Sequence, residues 1–221
     1  MKTRAVFFDL DNTLYDYRDY YSYALLEIGK YLADKYEVDV FEVHKWGIEI
    51  LSKKSSRYPK LFDDLLDMLD IPRSEVKKCV EIFNTISPPI GPFSDVIPTL
   101  EKLKDYGVIL GIITDGNPLR QSRKIKLLGL SKYFNIVVFS YEYGYPKPAK
   151  EPYIYALRIA KVTPAQAYYV GDDPRFDFKG AKEIGMTTIR LLRGEFVNIP
   201  RNEYIDYEIE SLPEIIEIIL G

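Results

Sequence analysis

The segment Arg4-Ala5-Val6-Phe7-Phe8 carries no charge after Arg4 and then breaks into Asp9-Leu10-Asp11-Asn12-Thr13. Its β-branched and aromatic lead-in predicts a buried strand. In extended chain, residues i and i+2 point the same way, so Asp9 and Asp11 are expected to leave the carboxyl end of that strand together. Open α/β sheets bind their ligands at that end. Two carboxylates so close repel each other unless a cation or a shared proton lies between them. The pair therefore suggests a metal site in which one acid is free to attack and the other to carry protons.

After this strand the pattern turns helical for some seventy residues. Leu25, Ile28 and Leu32 recur at helical spacing, and Asp39 with Glu42 three residues on marks a capped helix start. Leu61, Leu65, Leu66 and Leu69 define a third helix, and Val76, Val80 and Phe83 a fourth. Ser87-Pro88-Pro89-Ile90-Gly91-Pro92 is the densest run of helix breakers and ends the block. From Ser94 onward helices and strands alternate, with strands expected at Val108–Ile113, Ile136–Phe139, Ala167–Val170, Thr188–Leu191 and Tyr207–Ile209. Alternation of this kind gives a parallel sheet covered on both faces. The expected architecture is α/β: a doubly wound, Rossmann-like core of residues 1–14 and 92–221, with residues 15–91 inserted as an all-helical cap.

Composition narrows the function classes. The 221 residues suit one sizeable domain with an insertion, and a net charge of −3 gives no reason to expect a nucleic-acid partner. No apolar run approaches the ~18 residues of a membrane span, the nearest being Val108–Ile113. The first apolar stretch stops at Asp9, too short for a secretion signal, and a lone cysteine, Cys79, allows no internal disulfide. A cytoplasmic location is expected on those grounds. Scarce Gln, Met and Cys beside abundant Tyr, Lys and Glu suggest a hot habitat. No coiled-coil seam indicates an oligomeric state.

Four expected strands end in polar residues that share one edge of the sheet. The first ends in Asp9 and Asp11, the second in Thr114-Asp115-Gly116, where a hydroxyl and freed N–H groups suit an anion. The third leads to Gly144-Tyr145-Pro146-Lys147-Pro148, and the fourth to Gly171-Asp172-Asp173-Pro174-Arg175-Phe176-Asp177. Acids for a hard cation, one lysine and a set of hydroxyl and amide donors match what Mg²⁺ and a phosphoryl group require. Asp9 is a candidate nucleophile and Asp11 a candidate proton carrier.

These motifs resemble the haloacid dehalogenase-like hydrolase superfamily, in the subfamily with a helical cap between the first and second motifs. Asp9-Leu10-Asp11-Asn12-Thr13 matches D-x-D-x-T, Thr114 the second-motif hydroxyl, Lys147 the third-motif lysine, and Gly171-Asp172 with Asp177 the fourth. The resemblance implies Asp9 as nucleophile, Asp11 as acid and base, and Thr114, Asp115 and Lys147 as phosphate-binding residues. It also implies Mg²⁺ held by Asp9, the main-chain carbonyl of Asp11, and Asp172, with Asp173 or Asp177 in support. Asp115 stands where many relatives have Asn. The superfamily's dehalogenases lack the second aspartate of the first motif and use no metal, so Asp11 favours a phosphatase.

The expected function is thus Mg²⁺-dependent hydrolysis of a small phosphorylated metabolite through an aspartyl phosphate, the cap closing over the site on hinges near Leu14–Arg18 and Ser87–Pro92. A phosphomutase, a metal-independent 2-haloacid dehalogenase and a non-catalytic binding protein are the alternatives. Other features read as structural: His44 as a packing or surface residue, Cys79 as a buried inert thiol. Arg120, Arg123, Lys124 and Lys126 read as a solvated helix face. Tyr15, Tyr17 and Arg18 lie near enough to Asp9 in sequence to line a substrate pocket.

Overall fold

The computed structural model describes residues 4–220, which form two compact units: Tyr17–Ile90, and the remainder up to Asp16 together with residues from Gly91 onward. The second of these is the α/β unit. Its six strands are β1 (Ala5–Phe8), β2 (Ile109–Thr114), β3 (Ile136–Phe139), β4 (Ala167–Gly171), β5 (Thr187–Leu191) and β6 (Tyr207–Ile209). They form one sheet in the order β3-β2-β1-β4-β5-β6, every neighbour parallel. The chain runs outward from β1 to β3 and returns to the other side of β1 at β4. The carboxyl ends of β1 and β4 therefore flank the point where the winding reverses, which is where such sheets open a crevice.

All of β1 is buried, as a strand covered on both faces must be, and no residue of it carries a charge. Its register pairs Phe8 with Ile112 of β2 and Val170 of β4, which brings the three strand ends level. Connecting helices take their places in chain order after the four of the inserted unit. They are α5 (Val96–Asp105), α6 (Pro118–Leu127), α7 (Glu151–Ala160), α8 (Lys179–Glu183) and α9 (Ile215–Leu220). Asn117 caps α6 through its side chain, and Ser211 with Glu214 closes a capping box ahead of α9. On one side of the sheet Phe7, Ile113, Val138, Tyr153, Tyr169 and Phe178 pack into a single apolar cluster.

The inserted unit contains α1 (Tyr17–Ala33), α2 (Val40–Lys54), α3 (Leu61–Met68) and α4 (Val76–Thr85). Asp39 caps α2, its carboxylate accepting from the N–H groups of Phe41 and Glu42 at 2.8 and 3.1 Å. Gly47 lets α1 and α2 touch, since a Cβ there would lie 2.3 Å from the Leu25 side chain. Tyr20, Tyr21 and Phe62 surround Phe83 in edge-on contacts. Cys79 is fully buried and burial pushes its thiol up to about 12, which leaves it unreactive. His44 hydrogen-bonds Ser22 at 2.7 Å, joining α2 to α1.

Glu75, just before α4, accepts from Lys35 (2.7 Å), Tyr36 (2.9 Å) and Tyr31. The Lys35 bond, followed by those from the two tyrosines, holds its carboxyl at about 2, below the ordinary 4.5. A depressed carboxyl stabilises the fold fully above its unfolded value, and that contribution disappears as pH falls from about 4.5 to about 2. Glu75→Gln is expected to lower the melting temperature of this unit at pH 7 and to flatten its dependence between those limits. Thermal melts across pH check this; a variant that keeps the wild-type slope would remove Glu75 as the source.

Candidate active site

Four strand ends deliver the side chains anticipated from sequence. Beyond β1 the Asp9 N–H still bonds the Val170 carbonyl of β4 at 2.8 Å, which fixes where its carboxylate departs. The chain then turns, with Asn12 in the left-handed region (φ 61°) and Leu14 N–H closing onto Leu10 at 3.0 Å. Asparagine tolerates that backbone well. The turn sends the two carboxylates to different partners.

Asp9 meets Lys147, whose ammonium lies 2.5 Å from Asp9 Oδ1, 2.6 Å from Asp177 Oδ1 and 3.1 Å from the Tyr169 hydroxyl. The lysine is buried, and burial alone would favour its neutral form. Asp177 and Asp9 outweigh that and raise it well above its ordinary value, so it is an ammonium. Burial, with Asp177 and Asp11 adding to it, outweighs the downward pull of Lys147 and leaves the Asp9 carboxyl raised to about 7.

Asp172 and Asp177 close the acidic cluster. Carboxylate oxygens of Asp9, Asp172 and Asp177 lie within 4.8 Å of one another, all three residues buried. Asp177 Oδ2 accepts from the N–H groups of Asp172 (3.1 Å) and Asp173 (2.9 Å), so it holds the turn after β4. The helix that follows begins only at Lys179, and Asp177 does not serve as its cap. Gly171 is required beside it, because a Cβ there would come within 2.4 Å of Asp177 Oδ2. Asp173 turns aside to Arg175, which it binds through both oxygens at 2.9 Å.

The donor set fits a divalent cation. Asp172 Oδ2 is buried without a hydrogen-bond partner, a costly condition for a carboxylate oxygen. Burial raises the Asp172 carboxyl well above its ordinary value, and Asp177 and Asp9 add to the rise. Three carboxylates share one ammonium, an imbalance that a hard dication with oxygen ligands would remove.

Thr114 ends β2, is buried, and its hydroxyl oxygen accepts from Gln121 Nε2 at 2.7 Å. Asp115 points its carboxylate at the Ser140 hydroxyl and at the Lys147 N–H (3.1 Å), and so ties the loop after β3 to the end of β2. Asp11 receives three donors: Lys124 Nζ (2.6 Å) and Tyr15 hydroxyl (2.5 Å) on Oδ1, and Gln121 Nε2 (2.9 Å) on Oδ2. Burial acts against its charge, but Lys124 and the other donors prevail and hold it at about 2.

One sequence expectation is overturned at this point. Lys124 does not belong to a solvated face. Only 2% of it is exposed, whereas Lys126 is exposed. Gln121, Lys124, Ile125 and Leu128 follow the i, i+3, i+4, i+7 stripe that faces inward from α6, and that spacing was the available signal. Run composition concealed it. Tyr169, on the apolar strand β4, Gln121 and Ser140 are further site residues the sequence did not single out.

Residues 6–191 match the family model for haloacid dehalogenase-like hydrolases. The chain belongs to this family. It is 35% identical to a glyceraldehyde 3-phosphate phosphatase from Methanocaldococcus jannaschii, over 98% of this chain and 96% of the relative. Among solved structures, a HAD phosphatase from Thermococcus onnurineus superposes with a TM-score of 0.71 at 28% identity, covering 99% of this chain and 98% of the other. A 2-haloacid dehalogenase from Pseudomonas syringae pv. Tomato DC3000 gives 0.66 at 27% identity, covering 99% and 98%. The chain is of the phosphatase type within the family. Among the described residues no helix is long and apolar enough to cross a membrane.

Proposed function

We propose that the chain is a Mg²⁺-dependent phosphohydrolase that transfers the phosphoryl group of its substrate to Asp9 and then to water. The observation that carries this reading is the buried Asp9–Asp172–Asp177 cluster with Lys147 set against Asp9. Asp9, Asp172, the main-chain carbonyl of Asp11 and, in support, Asp177 would hold the cation. When bound, the cation neutralises charge on the carboxylates and on the phosphoryl oxygens.

An Asp9 carboxylate oxygen forms a bond to phosphorus as the bond to the leaving oxygen breaks. The electron pair departs with that oxygen, which takes a proton from Asp11. Water then bonds to phosphorus and gives Asp11 a proton, and the Asp9–phosphorus bond breaks to release inorganic phosphate. The three donors on Asp11 favour its carboxylate, the form required for the second step, and the proton that step delivers to Asp11 is the one given to the leaving oxygen of the next substrate. Lys147 and the Thr114 hydroxyl would bind the phosphoryl oxygens. Asp115 would contribute through its backbone and by anchoring the Lys147 loop. The name of the Methanocaldococcus relative supports a three-carbon phosphate such as glyceraldehyde 3-phosphate as substrate.

Phosphate release from glyceraldehyde 3-phosphate and from 4-nitrophenyl phosphate, with Mg²⁺ and with EDTA, tests the reading. Release is expected to fall by about 10²-fold or more in EDTA, given the several kcal/mol that a Lewis-acid cation contributes. Metal-independent halide release from 2-chloropropionate, or equal rates with and without EDTA, would overturn it.

A further inference from the structure

Lys124 is a buried ionisable group that this mechanism does not use. It lies in α6, 113 positions from Asp11, with its ammonium 2.6 Å from Asp11 Oδ1 and 5.6 Å from the centre of the Tyr15 ring. Its own surroundings oppose its charge. Burial lowers it first; Asp11 restores part of the loss, and Arg120 adds to it. A buried lysine of this kind is retained against a solvation cost that a leucine or methionine would avoid.

What it achieves is geometric. The Asp11 side chain is 28% exposed, enough to swing between rotamers were it held at one point. It is held at three: Lys124 and Tyr15 fix Oδ1 and Gln121 fixes Oδ2. Gln121 Nε2 also reaches the Thr114 hydroxyl oxygen, so one face of α6 registers the proton-carrying carboxylate against a phosphate-binding hydroxyl.

We propose that Lys124 is a positioning residue that, with Tyr15 and Gln121, aims the Asp11 carboxylate at the leaving oxygen. This rests on the phosphohydrolase reading above. An ion pair that merely docked α6 would affect every substrate alike. A residue that aims the proton donor is needed only where the leaving oxygen needs a proton, and kcat/KM reports that step because it ends with departure of the leaving group.

The experiment compares 4-nitrophenyl phosphate, whose leaving group needs little protonation, with the alkyl ester glycerol 3-phosphate. Wild type, Lys124→Met and Tyr15→Phe are measured with saturating Mg²⁺. Lys124→Met is expected to lower kcat/KM for the alkyl ester by about 10²-fold, the lower range of general-acid contributions, and for the aryl ester by only several-fold. Tyr15→Phe, which keeps the buried ring, is expected to show the same selectivity at about 10-fold, and carries the test if the methionine variant does not fold. Equal losses on both esters, or no loss on either, would overturn the assignment while wild-type turnover preserves the phosphohydrolase reading. Absence of wild-type turnover on both esters overturns that reading and this assignment with it.

Discussion

Asp9→Asn is expected to reduce kcat by at least about 10⁴-fold, the scale seen when a covalent nucleophile or its essential partner is removed, without lowering the melting temperature. The two halves of this result have separate causes. An amide oxygen is neutral and cannot form the acyl phosphate link, so no phosphoryl group is captured and no burst precedes the steady state. The fold loses little, because Asp9 is a buried acid within 4.8 Å of two others and the ionised cluster is self-repelling. Lys147 keeps its 2.6 Å bond to Asp177, and the asparagine oxygen remains available to it. Quenched-flow phosphate release, with thermal melts in EDTA, checks both halves. Turnover near the wild-type rate would remove Asp9 as nucleophile; a large fall in melting temperature would make it a structural residue.

How far the sequence revealed this site depends on how locally each residue is positioned. Asp9, Thr114 and Asp172 each sit at the end of a short apolar strand or just beyond it, and an apolar run that stops at a polar residue is visible in one window. Parallel pairing then brings those ends level without further information. One helix start was visible for the same reason, since the Asp39 cap acts within one turn. Partnerships were not. That Asp115 would turn to Ser140 and the Lys147 N–H, and Asp177 to the N–H groups of its own turn, depends on loop backbone that no periodicity encodes. Lys124 is the instructive case. Its position on the inward stripe of α6 was encoded, but a lysine at such a position contradicts the usual burial preference, and only an acid as distant in sequence as Asp11 resolves the contradiction.

Lys147→Met is expected to remove activity and stability together, unlike the asparagine variant. The ammonium is the cation that the structure places among the Asp9, Asp172 and Asp177 carboxylates, within 2.6 Å of two of them. Methionine fills a similar volume but leaves Asp9 and Asp177 buried and unpaired, which costs about 3–5 kcal/mol when one partner of a buried ion pair is deleted. For a chain of this size that corresponds to roughly 5–20 °C in melting temperature, measured in EDTA. The same deletion makes the cluster more negative, so Mg²⁺ is expected to raise the variant's melting temperature by more than it raises the wild type's, because a ligand stabilises the folded form more the more tightly it binds it. Activity stays low even at saturating Mg²⁺, since the cation that would hold the phosphoryl oxygens opposite Asp9 is gone. A melting temperature unchanged in EDTA would mean that the three acids tolerate one another without Lys147, and with it would go the argument that their charge is what recruits the metal.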